Sequence, residues 1–192
     1  MDQINNAILQ GMAEWRVSWL NRAMTDITSL GSMTIATLVT VAAVILFWTM
    51  HRDRIAAATM MTSTFGGEAV VEILKRVFRE PRPTAVEHLV DFNGFSFPSG
   101  HCLVSAAAYG TLATLVTSYV RDCRARAAIR AICWTIVGLI AVSRVYLGVH
   151  YPTDVVAGVI LGIVWRHLSL QMWRAPHRAG YRNWSNRTLP MP

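Results

Sequence analysis

Charged residues are scarce in this chain. Asp, Glu, Lys and Arg make up 15% of its 192 residues, and hydrophobic residues make up 53%, whereas about a quarter of a soluble domain is charged. The charges that do occur are clustered and leave long uncharged runs between them. This composition argues against an ordinary soluble domain and favours a protein embedded in a membrane.

The net charge of +7 does not indicate a nucleic-acid-binding protein. The arginines stand in short clusters between apolar runs, which is typical of membrane topology and not of a basic surface patch. We therefore expect membrane lipids, and no nucleic acid, as partners. The oligomeric state stays open.

Lysine and cysteine are rare as well. Lys75 is the single lysine among 18 Lys and Arg residues. The three cysteines, Cys102, Cys123 and Cys133, show neither paired nor metal-type spacing, which argues against a disulfide framework and a zinc site. No cluster of carboxylates with histidine or cysteine suggests another metal, so we expect neither a metal nor another cofactor.

Five apolar runs are long enough to cross a bilayer, whose apolar core of about 30 Å needs roughly 20 helical residues. They cover residues 31–50, 55–78, 101–120, 131–148 and 152–173. We therefore expect an all-α, polytopic membrane helix bundle that forms a single domain over residues 1–192.

The second run contains four charged residues, Glu68, Glu72, Lys75 and Arg76. Carboxylates inside a membrane are costly and usually paired. The four-residue spacing of Glu72 and Arg76 predicts an ion pair along the helix. A structural role is favoured for these glutamates, with a catalytic role as the alternative.

The first 30 residues differ from the five runs. Apolar residues recur there at helical spacing, from Ile4 to Leu20, with charged residues between them. This pattern predicts an amphipathic helix within 1–30 that lies in the membrane interface. A short sixth span that starts near Ile4 is the alternative.

Arginine clusters follow the first, third and fifth runs. If the runs alternate in direction, all three clusters lie on one side, which the positive-inside rule makes cytoplasmic. The basic tail at 174–192 is on that side. The loop 79–97 and the turn 148–151 are then expected at the outer, periplasmic face of a bacterial inner membrane.

His150 and Asp154 are four residues apart, with Pro152 between them. Proline is favoured in the first turn of a helix, so a helix is expected to begin near Pro152, with Asp154 in its first turn. A carboxylate there can accept the Nδ1 proton of His150 and leave Nε2 as a nucleophile. Alternatively, Asp154 only caps the helix and His150 is an interfacial residue.

Ser99, Gly100 and His101 precede the third run. Serine is a good helix cap, glycine lets backbone N–H groups approach an anion, and helix amino-termini bind phosphate. His101 could protonate a leaving-group oxygen, since imidazole titrates near neutrality. A capped turn without catalysis is the alternative.

Lys75, Arg82 and Arg144 supply fixed positive charge close to these motifs. Phosphoryl transfer spreads negative charge over three oxygens, and arginine can hold two of them with parallel hydrogen bonds. Arginines at span ends can instead snorkel or set topology, but cations at the outer face oppose the positive-inside bias. Phosphate binding is therefore favoured.

The three motifs together resemble the signature of the type 2 phosphatidic acid phosphatase family, which also includes vanadium haloperoxidases and some bacterial acid phosphatases. They are Lys75 with Arg82 and Pro83, the turn Pro98-Ser99-Gly100-His101, and Ser143-Arg144 with His150 and Asp154. The stretch 143–162, SRVYLGVHYPTDVVAGVILG, is close to the usual form of the family throughout.

The resemblance implies a metal-independent hydrolase with an α-helical core. By position, His150 would form a phosphohistidine, Asp154 would orient it, and His101 would be the acid toward the leaving group. The phosphate-binding residues would be Lys75, Arg82, Ser99, Gly100 and Arg144.

A lipid phosphate or pyrophosphate is the expected substrate, with undecaprenyl pyrophosphate leading. Phosphatidylglycerophosphate and phosphatidic acid are the alternatives. Two other functions are alternatives to hydrolysis. One is phosphoryl transfer to an acceptor other than water, through the same phosphohistidine. The other is a membrane scaffold that has the motifs but no turnover.

Overall fold

The computed structural model describes residues 2–91 and 94–185, and these residues form α-helices and loops without β-strands. The all-α class is therefore confirmed. The seven helices are α1 (Asp2–Glu14), α2 (Ser18–Ser29), α3 (Met33–Thr49), α4 (Arg54–Phe78), α5 (Gly100–Tyr119), α6 (Cys123–Tyr146) and α7 (Pro152–Ser185).

Helix α5 lies at the centre of the bundle and packs against α4, α6 and α7. Many of its buried side chains are small, among them Ala106, Ala107, Ala108 and Ala113. Small residues allow membrane helices to approach closely. At Gly162 of α7, an added Cβ would stand 2.5 Å from the carbonyl oxygen of Leu103, so glycine permits the contact between α5 and α7.

Three helices within the described residues are long and apolar enough to cross a membrane: α5, α6 and the Pro152–Arg174 part of α7. Helix α3 has 17 residues and meets the same criterion jointly with α2, to which it is joined at a bend of 47°. Helix α4 has 25 residues but carries the charged residues of the second run. The five long helices α3–α7 thus correspond in position to the five predicted runs.

The amino-terminal segment forms two helices where the sequence predicts one. Val17, between α1 and α2, is extended, with φ −132° and ψ 153°. In the same break, the guanidinium of Arg16 donates to the carbonyl oxygens of Tyr146 and Glu87, each at 2.8 Å by its shortest contact. These contacts with distant parts of the chain hold the backbone out of a continuous helix, which local periodicity does not reveal.

Helix α7 continues to Ser185, so most of the predicted basic tail at 174–192 is helical. Residues 186–192 of this tail lie outside the described residues. The cytoplasmic placement of the tail stays a prediction.

Candidate active site

The turn between α6 and α7 carries His150. Gly148 allows this turn, because its φ of +77° favours glycine and an added Cβ would meet the carbonyl oxygen of Glu87 at 2.9 Å. Helix α7 begins at Pro152, as predicted, and Asp154 lies in its first turn. His150 is 2% exposed and Asp154 is 0% exposed, so the turn buries the imidazole and the carboxylate together.

The Asp154 carboxylate is fixed in place behind the imidazole. Its Oδ2 accepts hydrogen bonds from the hydroxyl of Ser96 at 2.5 Å and from the backbone N–H of Tyr151 at 3.0 Å. The same oxygen lies 3.6 Å from Nδ1 of His150, which is longer than a hydrogen bond but within the range of a strong electrostatic interaction. Because Nδ1 faces the carboxylate, Nε2 is the ring nitrogen on the opposite side.

Ser96 is a site residue that the sequence does not indicate. Its hydroxyl oxygen lies 2.5 Å from Asp154 Oδ2 and 3.3 Å from His150 Nδ1, and the side chain is completely buried. Its backbone N–H donates to the carbonyl oxygen of Glu80 at 2.8 Å, which fixes this part of the loop between α4 and α5. In the sequence, its position two residues before Pro98 is the one feature that connects Ser96 with the motifs. A serine in a loop does not by itself indicate a catalytic or positioning role.

Burial lowers the pKa of His150 below its usual value. Asp154 acts in the opposite direction, while the positive charges of Arg144 and Arg82 lower the pKa further. The ring is therefore neutral near pH 7, which leaves a lone pair on one nitrogen for attack. Burial also lowers the pKa of Arg82, but a guanidinium stays protonated in proteins.

The amino-terminus of α5 brings the second motif to His150. Ser99 occupies the cap position, but its hydroxyl donates to Sγ of Cys102 at 3.2 Å and makes no cap hydrogen bond, contrary to expectation. Its backbone N–H donates instead to the carbonyl oxygen of Asp154 at 3.2 Å, which ties α5 to α7. An added Cβ at Gly100 would stand 3.1 Å from Cγ1 of Val71 and 4.0 Å from Nζ of Lys75, so glycine permits the close packing of α5 against α4 beside the ammonium group.

Arg82 connects the loop between α4 and α5 to the His150 turn. Its Nε donates to the carbonyl oxygen of Gly94 at 3.0 Å, and its Nη1 donates to that of Val149 at 2.8 Å. Val149 directly precedes His150 in the chain. The guanidinium is therefore held in a fixed position beside the imidazole.

A cavity of about 140 Å³ lies among these groups. Five of the predicted site residues line it: Lys75, Arg82, Gly100, His101 and His150. The other three, Ser99, Arg144 and Asp154, are completely buried and are absent from the described lining. The structure thus brings all the predicted residues to one region, in a layer that lines the cavity and a layer that supports it.

The amino-terminal part of the chain forms one wall of the cavity, which the sequence does not indicate. Gly31 and Met33 line the cavity. An added Cβ at Gly31 would stand 3.2 Å from Cδ2 of His101. The buried guanidinium of Arg144 donates to the hydroxyl of Thr28 at 2.8 Å, so the end of α2 also supports the cationic layer.

Glu68 is the one carboxylate among the described lining residues. The predicted pair of Glu72 and Arg76 is present at 3.4 Å on an exposed helix face, where such pairs contribute little to stability. Glu68 has a different position, since it shares the cavity with Lys75. Among the described residues, no group of three or more His, Cys, Asp or Glu side chains could hold a metal ion.

Known proteins share this sequence and fold. The model of the PAP2 superfamily matches residues 56–178. Phosphatidylglycerophosphatase B of Bacillus subtilis (strain 168) is 32% identical over 164 residues, which cover 83% of this chain and 78% of the relative. Undecaprenyl-diphosphatase of Sulfolobus acidocaldarius is 37% identical over 93 residues, which cover 48% of this chain and 36% of the relative.

A solved structure agrees with these relatives. The crystal structure of the first transmembrane PAP2 type phosphatidylglycerolphosphate phosphatase from Bacillus subtilis matches with a TM-score of 0.83 and 28% identity, over 90% of this chain and 86% of that one. The match and the apolar helices make the chain an integral membrane protein. The resemblance to type 2 phosphatidic acid phosphatases is confirmed, and the chain belongs to the PAP2 superfamily as a membrane lipid phosphatase.

Proposed function

We propose that this chain hydrolyses the terminal phosphate monoester of phosphatidylglycerophosphate, with His150 as the nucleophile. The arrangement of the cavity carries the proposal. Two imidazoles, those of His150 and His101, line one small cavity together with the cations of Lys75 and Arg82. Oδ2 of the buried Asp154 carboxylate lies 3.6 Å from Nδ1 of His150, where it can orient the imidazole and stabilise its positive charge after attack through Nε2.

The first step transfers the phosphoryl group to the protein. Nε2 of neutral His150 attacks phosphorus, and the bond between phosphorus and the lipid oxygen breaks. His101 donates a proton to that leaving oxygen; the negative charge of the bound phosphate favours the protonated ring that this role needs. Asp154 stabilises the positive charge on the phosphorylated imidazole of His150.

The second step regenerates the enzyme. A water molecule attacks phosphorus, and His101, now neutral, accepts its proton. The bond between His150 and phosphorus breaks, and inorganic phosphate is released. Lys75 and Arg82 would hold the phosphate oxygens through both steps, together with the N–H group of Gly100 at the α5 terminus.

Arg144 has a less direct part in this proposal. It is absent from the described lining of the cavity, and its positive charge acts on His150. A buried cation at that position raises the electrostatic attraction for a phosphoryl group without touching it. Arg144 is therefore proposed to strengthen anion binding through its field.

Phosphatidylglycerophosphate replaces undecaprenyl pyrophosphate as the leading substrate. The relative named for the former spans most of both chains, whereas the relative named for the latter spans about half of this chain. Glu68 in the cavity lining also disfavours a second phosphate group close to the first, because like charges repel. Both considerations support a single phosphate monoester.

We also propose that the cavity faces the periplasm of a bacterial inner membrane. The turn at 50–53 and the connection at 120–122 join helices at the end of the bundle opposite the cavity. Each connection carries one arginine, Arg52 or Arg121, and further arginines stand at the start of the following helix: Arg54 in α4, and Arg124 and Arg126 in α6. Positive charge favours the cytoplasmic side. The basic segment after Arg174 follows the same end of α7.

Phosphate release by the purified protein tests the substrate and the nucleophile. With phosphatidylglycerophosphate, phosphatidic acid and undecaprenyl pyrophosphate compared, we expect the highest kcat/KM for the first. His150→Ala is expected to lose activity by about 10⁴-fold or more. The matched control is His167→Ala, because His167 is an exposed histidine on α7 and that variant should keep wild-type turnover.

Each alternative gives a distinct result. Highest turnover of undecaprenyl pyrophosphate would reverse the substrate assignment. Full hydrolysis by the His150→Ala variant would remove His150 as the nucleophile. A scaffold without turnover would release no phosphate from any of the three lipids.

A further inference from the structure

Arg166 lies inside the membrane-spanning part of α7. At 1.5 Å per residue it stands about 21 Å along the helix from Pro152 and about 12 Å before Arg174. Across an apolar layer of about 30 Å, this depth is in the half of the membrane that is distant from the catalytic cavity. An arginine at such a depth is costly unless an opposite charge accompanies it.

Residues of α5 and α6 contact the side chain of Arg166. Nη2 of Arg166 donates to the hydroxyl of Thr114 at 2.5 Å, and its guanidinium carbon lies 5.9 Å from the ring centroid of Trp134. An added Cβ at Gly110 would stand 2.6 Å from Cδ of Arg166, so glycine makes room for the arginine against α5. Nε is buried and has no hydrogen-bond partner.

A second arginine lies in the same groove between α5, α6 and α7. Nη2 of Arg130 donates to the hydroxyl of Thr117 at 3.3 Å, and Arg130 precedes Trp134 by one turn of α6. The positive charges of Arg130 and Arg174 both act on Arg166. Two or three like charges therefore gather at one place instead of being spread apart.

No carboxylate of the three helices compensates this charge. The sequences of α5 and α6 contain neither Asp nor Glu, and the one carboxylate of α7, Asp154, is at the catalytic end. Asp122, which precedes α6, is used as its cap and accepts from the backbone N–H groups of Arg124 and Ala125. Asp53, which lies at the same end of the bundle, accepts from the hydroxyl of Tyr119 and from Nε1 of Trp173. Among the described residues Arg166 forms no ion pair, so an anion from outside the protein can compensate its charge.

We propose that this groove binds the headgroup phosphate of an anionic phospholipid. The surfaces of these helices favour a lipid over a soluble anion. Ile163, one turn before Arg166 on α7, is 40% exposed, and Leu168 and Ile132, on other faces of α7 and α6, are 56% and 61% exposed, as expected for helices in contact with acyl chains. Basic pockets between membrane helices bind lipid headgroups in this way. The guanidinium groups of Arg166 and Arg130 would each donate to phosphate oxygens, and the acyl chains would lie along α6 and α7.

Lipid binding by the intact protein tests the site without a measurement of hydrolysis. Phosphatidylglycerol is also the product of the proposed reaction, so binding in the groove is taken from the difference between each variant and the wild type. Native mass spectrometry and thermal unfolding are measured in phosphatidylcholine nanodiscs with and without added phosphatidylglycerol. For the wild type we expect retained phosphatidylglycerol and a higher unfolding temperature when it is present. Arg166→Gln and Arg130→Gln should each weaken phosphatidylglycerol binding by about fivefold and reduce the temperature shift.

Arg124→Gln is the matched control, because it removes the same charge from an exposed position near the same end of α6. It should keep both the retained lipid and the shift. Equal losses in Arg124→Gln and Arg166→Gln would refute the site, since they would indicate a general charge effect. An equal shift with inorganic phosphate alone would refute a lipid ligand.

A folding defect in one variant does not prevent the comparison. If Arg166→Gln does not fold, Arg130→Gln and Thr114→Val provide the same comparison in the same groove. Wild-type binding of phosphatidylglycerol by both of these variants would overturn the proposal.

Discussion

Replacement of Ser96 by alanine tests whether the serine hydroxyl positions the side chains of His150 and Asp154. The variant removes one hydroxyl that lies 2.5 Å from Asp154 Oδ2 and 3.3 Å from His150 Nδ1. Its backbone contact with Glu80 does not involve the side chain and is retained. Because Ser96 is absent from the described lining of the cavity, the variant leaves Lys75 and Arg82, the cations that line the cavity, in place.

The size of the effect follows from the charge on the acceptor. A hydrogen bond to a charged group contributes about 1.5–3 kcal/mol. At about 1.4 kcal/mol for each factor of ten, complete loss of this contribution in the transition state lowers kcat by roughly 10- to 150-fold. KM should change little, since the hydroxyl of Ser96 is buried and is absent from the described lining of the cavity.

The pH profile should shift in a defined direction. Burial lowers the pKa of His150, so the neutral nucleophile is present at pH 7 and is lost as the pH falls through that lowered value. Without the serine hydroxyl, the Asp154 carboxylate attracts a proton on His150 more strongly. We therefore expect the acidic limb of kcat/KM to move to higher pH in Ser96→Ala.

Steady-state phosphate release across pH measures both effects. Ser169→Ala is the matched control, because Ser169 is also a buried serine but lies on α7 far from the cavity and donates to the carbonyl oxygen of Trp165. Its kcat and pH profile should equal those of the wild type. Wild-type kcat with an unshifted acidic limb in Ser96→Ala would refute the positioning role.

Two further predictions concern charge. Glu68→Gln removes the carboxylate from the cavity lining and should lower both KM and the inhibition constant of vanadate by roughly three- to tenfold. The control Glu72→Gln, on the exposed helix face, should change neither constant. Equal effects of the two variants would contradict a local role for Glu68. Reporter proteins fused after Arg54 and after Arg126 should both report the cytoplasm. Periplasmic signals from either fusion would contradict the proposed orientation.

Much of the fold could be predicted because its signals are local. The start of α7 at Pro152 follows from the fixed φ of proline, and α5 at Gly100–Tyr119 differs by one residue at each end from the predicted run. Long uncharged runs require helices in a membrane because backbone groups must bond within the segment. The three motifs lie at those ends of the apolar runs that face the same side of the membrane. The sequence therefore predicts that the motif residues lie together.

Contacts between distant residues could not be predicted in this way. The break at Val17 accompanies the hydrogen bonds of Arg16 to residues 71 and 130 positions away, and nothing in the local sequence encodes them. Ser96 meets Asp154 across 58 positions. The place of Glu68 in the cavity depends on which face of α4 packs inward, which the mixed charges of that helix leave undecided. The catalytic and binding roles assigned to the eight motif residues remain predictions that the variants above test.

The end of α2 and the start of α3 decide which fragments of the protein contain the complete cavity. The family match covers residues 56–178, whereas Thr28 holds Arg144 and Gly31 lies against His101 from outside that stretch. A fragment limited to the matched residues would retain every motif residue yet lack Gly31 and Met33, which form one wall of the cavity. The cavity therefore extends beyond the residues that the family model matches, and expression of this phosphatase should preserve the residues before position 56.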